Sequence, residues 1–231
     1  MFKTQVPTMR LTLRVLAHLL RYPDAELRAH LGELADALQL EAAVPGHRLD
    51  ELQALIRRLS SQDALQTESE YVELFDRGRS TALHLFEHVH GDSRDRGPAM
   101  IDLVQTYEKA GLYLGPEELP DHLGVVLEFA STQPPALAKA FLGEVAHILN
   151  AIFSALLKRE SPYAAVVAAV LELAGQKAEA VPFKADEALD EAWAEPEAFD
   201  GCATRGQNRP GQAQPIHIVR KNTNASQGVA A

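Results

Sequence analysis

The stretch from Tyr71 to Gly97 reads YVELFDRGRSTALHLFEHVHGDSRDRG, and the rest of the chain is organised around it. On both sides of Gly78, apolar residues recur at the i, i+3, i+4 spacing of a helix. The residues that follow this spacing are Tyr71, Leu74, Phe75, Ala82, Leu85, Phe86 and Val89. The pattern predicts two short helices that meet at a turn.

The second of these helices carries many polar groups. Helical spacing places His84, Glu87 and His88 on the face opposite the apolar stripe. The stretch then leaves through Gly91 and a charged run from Asp92 to Arg96. A helix that only packs against a core does not need so polar a face, so we expect this face to have a further role.

These residues resemble the central motif of the nitrate reductase molybdenum cofactor assembly chaperones, the NarJ family or nitrate reductase delta subunit, within the TorD-like group of redox-enzyme chaperones. The residues that carry the resemblance include Glu73, Phe75, Asp76, Arg77, Gly78, Arg79, Glu87, His88, Gly91, Ser93, Asp95, Arg96 and Gly97. A second run, formed by Glu118, Pro120, Asp121 and His122, is similar to the Glu-x-Pro-Asp-His signature of the wider group. Two signatures in the right order strengthen the assignment.

Composition is that of a globular protein with an acidic surface. At 231 residues with 46% hydrophobic and 23% charged residues, the chain is long enough for one substantial core. Its formal net charge of −10 repels phosphate backbones, so no nucleic acid is expected as a partner. A basic or amphipathic peptide would be attracted instead.

Cysteine usage and the N-terminus indicate a cytoplasmic protein. Cys202 is the only cysteine, so one chain cannot form a disulfide, a cysteine zinc site or an iron–sulfur cluster, and we predict no cofactor. Arg10, Arg14 and His18 interrupt the apolar N-terminal run, which therefore predicts neither a signal peptide nor a membrane span.

Capping residues and prolines divide Met1 to Gly175 into helices, with no alternating β-branched runs. The fold class is therefore all-α, and the resemblance implies a single-domain TorD-like helical bundle over residues 1–175. The predicted helix starts are Thr8, Asp24, Pro45-Gly46, Pro98, Pro120-Asp121, Pro135 and Ser161-Pro162, with one long helix from Pro135 to Arg159. Asp121 is expected to cap the helix at whose start it lies. Helical spacing predicts inward-facing apolar residues on these helices, among them Leu38, Leu52, Leu127 and, in the helix that starts near Pro98, Met100, Val104 and Tyr107.

Residues 176–231 differ in character from the bundle. Ala185 to Trp193 predicts a short acidic helix, and the glycines and prolines of Asp200 to Ala231 predict a poorly ordered, flexible tail. Within that tail, Pro215 to Arg220 alternates polar and apolar residues and suits an extended segment that pairs or lies in a groove.

Each candidate site has a structural alternative. His84 and His88, with His90 nearby, could hold a transition metal, but the HExxH order is absent and polar contacts are favoured. The charged residues of the stretch suit an ion network, a solvated rim or a partner contact, and no nucleophile–base pair accompanies them, so no enzyme is predicted. Tyr71, Phe75, Phe86 and Tyr107 suit either the core or the floor of a groove.

The resemblance implies a system-specific chaperone that binds the apo catalytic (alpha) subunit of respiratory nitrate reductase, including its N-terminal segment, which lies in a helical groove. Such a chaperone assists molybdenum cofactor insertion before membrane anchoring, does not insert into the membrane and is not part of the final enzyme. The alternatives are a chaperone of another molybdoenzyme, such as a sulfoxide or amine-oxide reductase, and a metal-dependent hydrolase that uses His84, Glu87 and His88.

The predicted partner-binding residues come from both signatures, and the sequence does not indicate the oligomeric state. They are Tyr71, Glu73, Phe75, Asp76, Arg77, Arg79, His84, Glu87, His88, Arg94, Asp95, Arg96, Glu118, Asp121 and His122.

Overall fold

The computed structural model of the protein describes residues 8–91, 93–116 and 118–182. The sequence-based predictions for Asp92, Cys202, the acidic helix at 185–193 and the tail at 200–231 lie outside these residues. The described chain contains α1 (Arg10–Leu19), α2 (Ala25–Glu41), α3 (Gly46–Ser61), α4 (Ala64–Tyr71), α5 (Leu85–Val89), α6 (Arg96–Lys109), α7 (Leu123–Thr132), α8 (Pro135–Glu144), α9 (Ala146–Lys158) and α10 (Ala164–Leu173). The described residues form no strand, which confirms the all-α prediction.

Two helices lie at the centre of the bundle. Every residue of α10 except Glu172 is buried, and this helix packs against α1, α3, α8 and α9. A helix that is apolar all round is stable in water only when its neighbours surround it. The other central helix is α1, which packs against α2, α7 and α10. The predicted apolar faces of α2, α3 and α7 turn inward, with Leu38, Leu52 and Leu127 fully buried.

The predicted cap of α2 is confirmed, whereas that of α1 is wrong. The Asp24 carboxylate accepts a hydrogen bond from the Leu27 N–H at 2.8 Å. Met9, rather than Thr8, lies at the N-cap of α1 and makes no side-chain cap bond. Glu41, from the end of α2, supplies the acceptor instead, at 2.6 Å from the Thr12 N–H and 2.8 Å from the Thr8 hydroxyl. Helix α1 is therefore capped from another helix.

The central stretch is less regular than two helices and a turn. Helix α4 already begins at Ala64 behind its cap Asp63, continues as a π-helical turn over Val72–Asp76, and is followed by a 3₁₀ turn at Arg79–Thr81. A Cβ on Gly78 would overlap the Leu74 carbonyl oxygen and the Thr81 hydroxyl, so this sharp connection requires glycine.

The predicted long helix from Pro135 to Arg159 is wrong, because α8 and α9 meet at an angle of 67°. Val145 ends one helix and begins the next with φ −96° and ψ 5°, two residues after Gly143, which weakens the last turn of α8. Within the described ranges, no single helix is long and apolar enough to cross a membrane, and only this bent pair passes that test jointly.

The chain beyond α10 stays against the bundle as far as it is described. Gly175 has φ +72°, a conformation that glycine adopts without strain, and ends the helix. The next residues run along α9, where the Glu179 N–H donates to Asn150 Oδ1 at 2.9 Å and the Val181 N–H donates to Ser154 Oγ at 2.8 Å.

Candidate functional site

The two signature stretches meet in space. His84 and His122 form an isolated antiparallel bridge, in which the Leu85 N–H donates to the Asp121 carbonyl at 3.0 Å and the Leu123 N–H donates to the Leu83 carbonyl at 2.8 Å. Backbone hydrogen bonds therefore join residues that lie 36 and 40 positions apart in sequence. The start of α5 and the start of α7 form one junction.

Asp121 is the centre of this junction. Its carboxylate is fully buried and accepts hydrogen bonds from the Phe86 N–H at 3.1 Å and from His84 Nδ1 at 3.4 Å, with the Arg96 guanidinium at 3.9 Å. Burial alone would raise the pKa of Asp121, but the hydrogen bonds from His84 and Phe86 and the nearby positive charges lower this pKa below its ordinary value. Asp121 is held as a carboxylate.

The prediction that Asp121 caps the helix that follows it is therefore wrong. Helix α7 begins at Leu123, and the ring of His122 caps it, since His122 Nδ1 accepts a hydrogen bond from the Gly124 N–H at 3.2 Å. Asp121 instead accepts from an N–H in the first turn of α5. The bridge explains this arrangement, because it directs the Asp121 side chain toward α5 and the His122 side chain toward α7.

The two histidines of the junction differ in charge preference. Their rings lie 5.1 Å apart at 66°. The hydrogen bond to Asp121 raises the pKa of His84 despite partial burial. Burial lowers the pKa of His122, and the positive charge of His84 lowers it further. His84 therefore favours the protonated form, whereas His122 favours the neutral form that its capping bond requires.

The outer edge of the junction reaches solvent. Arg96 lies 3.6 Å from Glu87 as well as 3.9 Å from Asp121, and the side chains of Arg96, Glu87 and His84 are 29%, 40% and 31% exposed. A partner can therefore contact this edge without unfolding the helices beneath it. We call the set His84, Glu87, Arg96, Asp121 and His122 the Asp121 cluster.

The metal-site alternative does not match the geometry. His88 turns away from His84 and places its Nε2 at 2.9 Å from the Ala82 carbonyl oxygen, while the His90 ring packs on Phe86 at 5.5 Å. Among the described residues, no three His, Cys, Asp or Glu side chains converge as metal ligands. The set His84, Glu87 and His88 therefore does not form the site that a hydrolase would need.

The other predicted site residues lie in different surroundings. Tyr71 and Phe75 are buried in an aromatic core with Tyr163, in which Tyr71 also donates its hydroxyl to the Leu20 carbonyl at 2.7 Å. Glu73 and Arg77 pair on the surface at 3.2 Å, and Glu118 accepts from the Gly115 N–H at 3.0 Å. Four further predicted site residues are also exposed and lie outside the Asp121 cluster, namely Asp76, Arg79, Arg94 and Asp95.

An apolar groove beside the Asp121 cluster was missed by the sequence reasoning. Met100 and Val104 were predicted to point inward, but with Ile101, Leu119 and Pro120 they line an open groove of about 350 Å³. Only Tyr107, the third residue of that prediction, is fully buried. Helical spacing gave no signal for the groove, because it shows that a face is apolar and not whether another element covers that face.

Comparisons with known proteins identify the family. The nitrate reductase delta subunit model matches residues 20–169, which is more than half of the chain. The nitrate reductase molybdenum cofactor assembly chaperone NarJ of Escherichia coli K12 is 42% identical over 191 residues, covering 81% of this chain and 80% of that protein. A probable chaperone of the same name from Bacillus subtilis is 30% identical over 165 residues, covering 70% of this chain and 87% of the relative.

A solved structure supports the fold. The crystal structure described as a putative redox enzyme maturation protein from Archaeoglobus fulgidus matches with a TM-score of 0.52 and 22% identity, over 76% of this chain and 98% of the other. At that identity the likeness concerns the fold alone. Sequence and fold agree, and the chain belongs to the nitrate reductase delta subunit family of molybdoenzyme assembly chaperones.

Proposed function

We propose that the protein is a cytoplasmic chaperone that binds the apo catalytic subunit of a respiratory nitrate reductase and assists molybdenum cofactor insertion. The observation that carries this proposal is the 42% identity to a named assembly chaperone over 81% of the chain, which includes both stretches that form the Asp121 cluster. The chaperone binds the client before it reaches its membrane anchor and leaves before the enzyme is complete.

The client contact includes the N-terminal segment of the catalytic subunit, bound as a helix in a groove of the bundle. Helix-in-groove recognition needs an apolar floor and a charged rim that fixes orientation. The described surface offers carboxylates for basic client residues at Glu87, Glu73 and Asp76. The chain as a whole has a net charge of −10, which favours association with a basic segment.

Burial divides the predicted partner-binding residues into two roles. The exposed or half-exposed ones contact the client directly, and these are Glu73, Asp76, Arg77, Arg79, His84, Glu87, His88, Arg94, Asp95, Arg96, Glu118 and His122. Tyr71, Phe75 and Asp121 are buried, and they act by positioning the helices that carry the others. A client reaches those three only if the helices around them separate.

The test has a binding arm and a maturation arm. Titration calorimetry of the full chain with a synthetic peptide of the catalytic subunit's N-terminal segment is expected to give saturable binding, with about −8 kcal/mol for a micromolar dissociation constant. Glu73→Lys and Glu87→Lys are expected to weaken it, because each replaces a carboxylate that faces basic client residues with a positive charge. Molybdenum content of the catalytic subunit, produced with and without the chaperone, measures cofactor insertion directly.

Two results would overturn the proposal. A catalytic subunit that reaches full molybdenum content without this protein would remove the maturation role. Tighter binding of the corresponding segment from a sulfoxide or amine-oxide reductase would instead assign the chaperone to another molybdoenzyme.

A further inference from the structure

Helix α6 has an apolar face that the described chain leaves open. Tyr107 is the one buried residue of this helix, whereas Ile101 is 59% exposed and Leu119, opposite it across the groove, is 46% exposed. The residues that line the groove are Met100, Ile101, Val104, Gln105, Glu108, Leu119 and Pro120. Exposed aliphatic groups that are contiguous rather than scattered mark an interaction surface.

The groove is held in place from behind. The Tyr107 hydroxyl donates to the Pro120 carbonyl at 2.8 Å, and its ring packs on Phe129 with centroids 4.6 Å apart. Both walls, α6 and the Leu119–Pro120 segment, are thereby fixed to each other and to α7. A preformed groove costs a ligand little ordering free energy.

The shape and the charges of the groove favour one class of ligand. Residues 100, 101, 104 and 108 recur at helical spacing along α6, so a second helix can pack lengthwise against them. Glu108 is the one charged residue of the lining, and exposed Glu118 precedes Leu119 in the chain. A ligand with aliphatic residues on one face and lysine or arginine beside them complements both features.

The groove also adjoins the Asp121 cluster. Pro120 forms part of its wall and is followed directly by Asp121, and the negative charge of Asp121 reaches the Tyr107 side chain, where it contributes with burial to a raised pKa. A ligand in the groove therefore lies next to the edge formed by Glu87 and Arg96. The groove supplies an apolar surface, and the neighbouring edge supplies charged groups.

We propose that the α6 groove holds the apolar face of an amphipathic, basic helical segment of the client, with its basic side chains directed to Glu108 and Glu118. This inference rests on the proposed function and adds to it the residues that form the floor of the client site. The Asp121 cluster then fixes the orientation of the Leu119–Pro120 wall.

The experiment compares two equally exposed aliphatic residues. Ile101 on α6 and Leu137 on α8 are both 59% exposed, so Ile101→Glu and Leu137→Glu introduce the same charge with the same small effect on folding. The synthetic N-terminal peptide of the catalytic subunit is titrated into the full wild-type chain and into each variant. Ile101→Glu is expected to weaken binding at least about tenfold, and Leu137→Glu to leave it unchanged.

A third variant tests the charge complementarity. Glu108→Lys is expected to weaken binding about threefold to tenfold at low salt and less at high salt, as a rim contact does. Circular dichroism and thermal melting of all variants must match the wild type, which keeps loss of binding separate from loss of folding.

The outcomes separate this inference from the function on which it rests. A wild-type chain that does not bind the peptide overturns the proposed contact with the N-terminal segment. Wild-type binding that Ile101→Glu leaves intact overturns the groove assignment alone. Tighter peptide binding by Ile101→Glu would mean that another part of this chain occupies the groove. If the wild type is a dimer that Ile101→Glu converts to monomers with unchanged peptide affinity, a second copy occupies the groove. Either result also overturns the inference.

Discussion

The two halves of the Tyr71 to Gly97 stretch have opposite surroundings. In residues 71–81 the two aromatic side chains, Tyr71 and Phe75, enter the core and pack on Tyr163. In residues 83–96 Leu83 and Leu85 are buried, but the polar groups gather around Asp121 and reach solvent. A single motif therefore contains residues required for packing and residues available for contact, and family resemblance does not distinguish between them.

The largest expected change in unfolding free energy comes from replacing one phenylalanine in each half of the stretch. Phe75→Ala removes a ring that is 5% exposed and is expected to cost about 3–5 kcal/mol of unfolding free energy, from loss of burial and the cavity left behind. Phe86→Ala, in the second half, removes a half-buried ring and is expected to cost about 1–2 kcal/mol. Urea denaturation measures both. Equal costs would mean that the two halves belong to one core.

The next effect compares two aspartates. Asp121→Asn keeps the shape but loses the charge that accepts from His84 and Phe86, and it is expected to cost about 1–3 kcal/mol. Asp76→Asn, at an exposed position of the first half, is expected to change the unfolding free energy by less than about 0.5 kcal/mol. A neutral Asp121→Asn would show that the cluster does not hold α5 against α7.

Sequence patterns predicted the regular helices because nearby residues determine where these helices begin, end and face the core. The Asp24 cap, the apolar faces of α3 and α7 and the end of α10 at Gly175 depend on residues within one or two turns. The start of α4 obeys the same rule, since the Asp63 carboxylate accepts a hydrogen bond from the Gln66 N–H.

Long-range partners explain what local patterns did not predict. Glu41 caps α1 from 29 residues away, and Asp121 caps α5 from 35 residues away, so neither side chain marks the helix that follows it. The resemblance identified the segments that meet at the candidate site, but which residues face inward follows from the antiparallel bridge between His84 and His122. The open groove on α6 could not be predicted, because periodicity shows that a face is apolar and does not show whether anything covers it.

A smaller effect is the pH dependence of the unfolding free energy, which depends on His84 and His122. Both histidines have an ordinary pKa of 6.5. The raised pKa of His84 gives stability that is complete below pH 6.5 and is lost as pH rises through the folded-state pKa. The lowered pKa of His122 gives stability that is complete above pH 6.5 and is lost as pH falls through its folded-state pKa. In the wild type the two contributions oppose each other.

His122→Asn separates them, since asparagine can still cap α7. This variant is expected to have an unfolding free energy that declines as pH rises above 6.5, and adding His84→Gln is expected to remove the decline. Denaturant titrations at several pH values measure both slopes. A decline that persists in the double variant would assign the pH dependence to groups outside the Asp121 cluster.

The smallest effect returns to the surface of the first half. Glu73 and Arg77 are 65% and 64% exposed and pair at 3.2 Å across one helical turn. A double-mutant cycle with Glu73→Gln and Arg77→Gln is expected to give a coupling free energy below about 0.5 kcal/mol, which high salt reduces further. A coupling above about 1 kcal/mol would contradict the view that this surface is passive in folding. If the coupling is small, weaker peptide binding by Glu73→Lys reports contact with the client and not damage to the bundle. The exposed surface of the first half then belongs to the client site together with the Asp121 cluster.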